Sequence, residues 1–185
     1  MGSKGRRATV IPHSQAAPAF VGEGRSSPGV EYRPLPVGSP EARRLFAYAA
    51  LWAPAAGQGE IGWGAWVTEG ATGGRMVGAL IVERSGSAGM IHGPVAVEFG
   101  DPLEVAAQLL TAALPAATGA GVETLFARPQ GLDRVWIRLG FIPVPEGDLP
   151  PALRGCPGTG LFAWRAGSAL WSSRRTAARD TDNLG

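Results

Sequence analysis

The chain has 185 residues, 45% of them apolar and 17% charged, enough for one domain with a sizeable core and too apolar for wholesale disorder. No apolar run approaches the roughly 20 residues that span a bilayer, and Cys156, the single cysteine, excludes an internal disulfide and a cysteine-built zinc site. The basic charge sits in the ends: residues 1–29 carry Lys4, Arg6, Arg7 and Arg25 against Glu23, and residues 166–185 carry Arg174, Arg175 and Arg179 against Asp180 and Asp182, which disfavours nucleic-acid binding, since that calls for basic residues clustered on a folded face.

Residues 1–29 are rich in Gly, Ser, Pro and Ala without periodicity, as is most of 166–185, so both read as flexible tails around one domain over 30–165. The basic N-terminus lacks a continuous apolar segment, which predicts no secretory signal and a cytoplasmic protein. One lysine beside sixteen arginines, amid much Ala, Gly and Pro, is the composition of a GC-rich bacterial genome.

In chain order, VEYRPLP (30–36) predicts a strand. PEARRLFAYAALW (40–52) predicts an amphipathic helix with Ser39 as cap, Pro40 in the first turn and Leu45, Tyr48, Ala49 and Trp52 on one face. Three strands follow at 60–70, 75–86 and 88–98, joined by ATGG and SGSAG as hairpins, hence an antiparallel meander. In the first of them Trp63 and Trp66 are three apart and point to opposite faces, one into the core and the other towards a pocket or a homodimer contact. GDPLEVAAQLLTAALPAATGAG (100–121) predicts a second helix that Pro115 kinks or ends early. Its start is closed from within: Asp101 caps the N–H groups near Glu104 or Val105, Pro102 removes one orphan donor, and Glu104 complements the dipole. A strand at 122–129, a short helix at 131–140, a strand at 141–145, a Pro- and Gly-rich loop and a final strand at 159–165 complete the order β-α-βββ-α-β-α-β-β.

Chemistry-bearing residues are few. Cys156 lies in the turn-rich RGCPGTG, with His13 and His92 as the two histidines of the chain, and reads as a passive loop cysteine because no basic neighbour activates it. His92 stands on the fourth strand, with Glu60, Glu69 and Glu83 in or beside neighbouring strands. One of these is a candidate general base, the other reading being a hydrogen-bonded strand histidine with solvated glutamates around it. Gly93 and Pro94 break the fourth strand, as either a backbone-lined cleft or an edge bulge requires.

The element order, the strand-to-helix junction after Val97, and Leu139, Gly140 and Phe141 closing a short helix before a strand resemble the GNAT superfamily of acyl-CoA-dependent N-acyltransferases over residues 30–165. The resemblance implies an α/β (α+β) fold: a mixed, mostly antiparallel sheet of about seven strands with three to four helices, splayed between the fourth and fifth strands. It further implies acetyl-CoA or another acyl-CoA as cofactor and a small-molecule or peptide amine as partner. Ile91, Gly93, Val95 and Val97 would line the pantetheine and thioester, Gly100 the pyrophosphate loop, and Trp136 the position where many members carry an acidic Tyr; His92 is the catalytic candidate, and no metal is implied. The chain departs from the family at two places. The loop of pattern Gln/Arg-x-x-Gly-x-Gly/Ala retains only Gly100, with Asp101 where a phosphate would bind, and an indole cannot replace a phenol as acid. Two functions follow: a divergent acyltransferase, or a non-catalytic module of the same fold that binds a partner or pairs with itself.

Overall fold

The computed structural model of the chain describes residues 29–57, 60–68, 74–97 and 100–167; the expected tails, His13, Glu69 and Glu98 lie outside these. Strands β1 (Val30–Leu35), β2 (Ile61–Thr68), β3 (Gly74–Ser85) and β4 (Ala88–Ala96) form the expected antiparallel meander. β4 then pairs in parallel with β5 (Thr124–Ala127), and β7 (Phe162–Arg165) and β6 (Ile142–Pro143) close the far edge. The seven-stranded order is β1-β2-β3-β4-β5-β7-β6. Helices α1 (Pro40–Tyr48), α2 (Pro102–Gly119) and α3 (Asp133–Arg138) lie between strands as the pattern predicted.

The sheet is buried on both sides, which is why β3 reads as the continuous apolar run MVGALIV rather than as an alternation. On one face Leu80, Val82, Ile91 and Leu125 pack with Leu110 of α2, Trp136 of α3, Phe141 and Trp164. On the other, Ala79, Ile81 and Val95 pack with Ala42 and Phe46 of α1, while Met90 and Phe126 pack under Leu149, Leu153 and Cys156 of the segment between β6 and β7. Gly89 permits the tight β4–β5 contact: a Cβ there would lie 2.9 Å from Val82 Cγ1 and 3.0 Å from Leu125 Cδ2.

Two helices differ from expectation in instructive ways. α1 starts as predicted, with Ser39 Oγ accepting from Ala42 N–H, but it ends at Tyr48 and not at Trp52. Ala50 adopts φ +53, and Leu51 N–H and Ala50 N–H return to Phe46 O and Ala47 O, the Schellman arrangement that terminates a helix. The buried positions are therefore Ala42 and Phe46, Tyr48 is exposed, and Trp52 leaves the helix altogether. α2, conversely, runs through Pro115 for its full 18 residues. Pro115 faces solvent, and buried Leu114 and Ala117 on either side hold the helix together despite the lost N–H.

The start of α2 is self-capped, though one position earlier than expected. Asp101 Oδ1 accepts from Leu103 N–H at 2.9 Å, while Val105 N–H donates to the Asp101 backbone carbonyl at 3.1 Å. Pro102 occupies the first turn, and Glu104 places a second carboxylate near the positive end of the dipole.

The feature that positions the site is where β4 and β5 part. Their pairing runs from Ala88↔Thr124 to Ile91↔Ala127, whereas β4 continues to Ala96 along β3. At the parting point β4 bulges: Ile81 faces His92 but Ala79 faces Val95, so Gly93 and Pro94 together oppose Leu80. Gly93 has φ +85, and a Cβ there would meet Val95 N at 2.9 Å and Phe46 Cζ at 3.1 Å. The bulge shifts the register of β4 on β3 just beyond its last pair with β5, at Pro94, which has no N–H to donate.

Replacing Asp101 with Ala should cost about 1 kcal/mol of stability through loss of the cap, read as a lower urea midpoint at unchanged slope.

Candidate functional site

The mouth of the splay is built around His92, the first β4 residue beyond the last β4–β5 pair. Its side chain lies on the α1 face and is only 1% exposed. Nε2 is 3.0 Å from Glu83 Oε2 on the adjoining strand, and Nδ1 has no hydrogen-bond partner among the described residues. The Trp52 indole packs on the ring with centroids 5.0 Å apart and planes tilted by 58°. Trp52 is 41% exposed, so it stands between His92 and solvent.

The wall beside this pair is an ionic clamp. Arg43 of α1 bonds Glu60 at 2.9 Å and donates to the Pro54 carbonyl, while Glu60 Oε1 accepts from Gly38 N–H at 3.0 Å. These bonds tie both ends of α1 and the stretch that follows it to the start of β2, and that stretch carries Trp52 to His92. On the β5 side, Arg128 follows Ala127 directly and is buried; its Nη1 donates to Glu146 and to Gly160 O, while Nε has no partner among the described residues. Cys156 lies beside Arg128; burial pushes its thiol up, with the Arg128 guanidinium pulling the other way, so it stays a neutral packing residue. No group of three metal-ligating side chains occurs among the described residues, and no helix of these is long and apolar enough to cross a membrane.

The residues singled out from the sequence are placed unequally around the mouth. Ile91, His92, Gly93 and Val95 follow one another along β4 where it leaves β5, Ile91 burying its side chain under α2 and Val95 under α1. Val97 N–H is engaged by Val77 O at 2.9 Å. Gly100, at φ +60, precedes the Asp101 cap and is exposed. Trp136 stands apart: it is fully buried in the α2–α3 core, edge-on to Phe141, and its Nε1–H donates to Pro129 O at 3.1 Å. Trp63 packs in the α2-side core, and Trp66 lies on the opposite face under the Arg33 guanidinium, 4.3 Å from its ring.

Two residues at the mouth were not singled out for it. Trp52 was assigned to the apolar face of α1, and the left-handed Ala50 that redirects it carries no Gly signal. Arg128 had one: it follows Phe126 at strand period, so a charged residue was bound to fall on an inward face.

As an acyl-CoA site the arrangement is half complete. The β5-side edge of β4 beyond Ile91 has no strand partner among the described residues, as a pantetheine arm running beside it requires. The start of α2 instead meets any diphosphate with the carboxylates of Asp101 and Glu104, so this end does not fit the pyrophosphate.

His92 also sets a pH dependence. Burial lowers its pKa below the ordinary value near 6.5, with Glu83 and Glu60 opposing the shift. The unfolded ring therefore takes up a proton that the folded ring resists. Its contribution to stability is complete above about pH 6.5 and is lost as pH falls through the lower folded value. Urea midpoints should drop between pH 7 and pH 5.5, and His92→Gln should flatten part of that drop.

No family model matches the chain, and no curated protein matches it by sequence. Solved structures do. The N-acetylglutamate synthase of Neisseria gonorrhoeae, complexed with coenzyme A and N-acetyl-glutamate, superposes with a TM-score of 0.57 at 15% identity, covering 75% of this chain and 35% of the synthase, so this chain spans about a third of that protein. An acetyltransferase from Streptococcus agalactiae superposes at 0.51 with 11% identity, over 75% of this chain and 99% of the other. A GNAT family acetyltransferase from Elizabethkingia anophelis with acetyl-CoA bound gives 0.50 at 12% identity, over 75% and 99%. With the seven-stranded order, the parallel β4–β5 pair and their divergence, these likenesses establish that the chain has the GNAT fold.

Proposed function

We propose that the protein is a divergent acyl-CoA-dependent N-acyltransferase acting on an amine, with His92 as general base. The observation that carries this reading is the coincidence, at the point where β4 leaves β5, of an open strand edge with a buried imidazole whose Nδ1 lacks a partner. Coenzyme A in one structural neighbour and acetyl-CoA in another support an acyl-CoA as the donor.

The thioester supplies an activated carbonyl. An amine nitrogen would form its C–N bond to that carbonyl as the C–S bond breaks and coenzyme A leaves as thiolate, and His92 would take the nitrogen's proton. The backbone of Ile91, His92 and Gly93 holds the acyl group against the open edge, so much of the rate enhancement is positional. Val95 and Gly100 extend the same lining towards α2. Trp136 contributes packing, since its N–H is bonded to Pro129 O, and no residue is assigned to protonate the thiolate. With carboxylates at the start of α2, donor affinity rests on the pantetheine and acyl portions.

The second reading, a binding module of the same fold without catalysis, is favoured by one observation, the Asp101 cap in the place of a phosphate. Titration calorimetry with acetyl-CoA, followed by transfer assays over a panel of primary amines, separates the two. Binding at micromolar donor and transfer that falls roughly a hundredfold in His92→Gln, with donor affinity kept, is the expected result. No heat at high micromolar acetyl-CoA would favour the non-catalytic module.

A further inference from the structure

We propose that Glu83 is a positioning residue: by accepting the Nε2 proton of His92 it fixes the tautomer whose Nδ1 lone pair receives the proton of the attacking amine. The inference rests on the reading of His92 as base and adds which nitrogen acts and what selects it.

The geometry admits one tautomer. An ionised carboxylate only accepts hydrogen bonds, so the 3.0 Å contact between Glu83 Oε2 and His92 Nε2 places a hydrogen on Nε2. In the other tautomer two lone pairs would face each other at that distance, and a buried Nδ1–H would be left without an acceptor. With the proton on Nε2 the lone-pair repulsion is removed and Nδ1 is left as an acceptor, bare among the described residues, and so the free basic atom. Strand register makes the contact: Ile81 pairs with His92 and Glu83 with Met90, so the two side chains are diagonal neighbours on one face. Trp52 against the ring holds its orientation.

The charges around the ring come from several elements. Glu83 stands on β3, and Glu60 before β2 acts on the ring while bonded by Arg43 of α1. Glu83 is the one of these in direct contact with the imidazole. When the amine forms its C–N bond and the thiolate departs, the proton arriving on Nδ1 gives an imidazolium that still donates from Nε2 to Glu83. Release of the Nδ1 proton to water restores the starting state, so no oxidant or further reactant enters.

The test uses the full chain labelled with 15N-histidine. There are two histidines, so His13→Gln leaves the His92 signals alone in the spectrum. Above the titration of the ring, the expected spectrum shows Nε2 protonated and Nδ1 not. Glu83→Gln, which keeps an acceptor but removes the charge, should retain that tautomer, titrate at lower pH, move the acidic limb of kcat/KM to lower pH and reduce kcat roughly tenfold or more. Glu83→Leu should let both tautomers appear. A wild-type ring protonated on Nδ1 would overturn the positioning role while leaving acyl transfer intact, and this measurement needs no variant at Glu83 to fold. An unmoved titration and acidic limb in Glu83→Gln would overturn it too. Full activity in His92→Gln would instead remove the base itself.

Discussion

The structure turns on the length over which β4 and β5 pair. Four residue pairs, Ala88↔Thr124 to Ile91↔Ala127, tie the meander to the β5-β7-β6 half of the sheet, and beyond them β4 continues along β3 only. Backbone groups inside a protein are paired almost without exception, and beyond Ile91 β4 keeps its pairing with β3 but has no β5 partner among the described residues. The edge begins where β5 ends at Ala127, and the regular β3–β4 register places His92 there, on the α1 face, just before the Gly93–Pro94 bulge.

Around that constraint two polar systems serve different ends. The Arg43–Glu60 pair is structural: it bonds helix, loop and strand together and so fixes where Trp52 stands. The Glu83–His92 pair is incomplete, since one ring nitrogen is bonded and the other, buried, has no partner among the described residues. Leaving a buried polar atom unpaired costs on the order of 1–3 kcal/mol, a cost that falls here on the residue just beyond the last β4–β5 pair. The contrast with α2 is informative. There Asp101 satisfies the helix start internally, so that end of the cleft lacks the unmet demand seen at His92.

Much of the fold was legible because its signals are local. The alternation and turn residues from 60 to 98 mark three strands and two hairpins, Asp101-Pro102 marks a helix start, and Leu139-Gly140-Phe141 marks a helix-to-strand corner. Helix ends were harder. Nothing in the Ala50–Leu51 pair announces a left-handed turn, so Trp52 was left on the helix face and its contact with His92 was missed. At Pro115 the helix continues, because packing of Leu114 and Ala117 against the sheet outweighs one missing hydrogen bond. Of the site, His92 and Glu83 were visible as residue types on neighbouring strands. Their contact depends on the β3–β4 register, Ile81 against His92 and Glu83 against Met90, which a sequence does not display, and the enclosure of Trp136 depends on how α3 packs with α2.

The central claim is that the β4 edge beyond Ile91 is where an acyl donor lies. Amide hydrogen exchange over residues 91–97, followed with and without saturating acetyl-CoA, tests it most directly. The account predicts slower exchange on donor binding at His92, Gly93, Val95 and Ala96, with little change along β1 and β2. Exchange unaltered along β4 while another surface gains protection would contradict it.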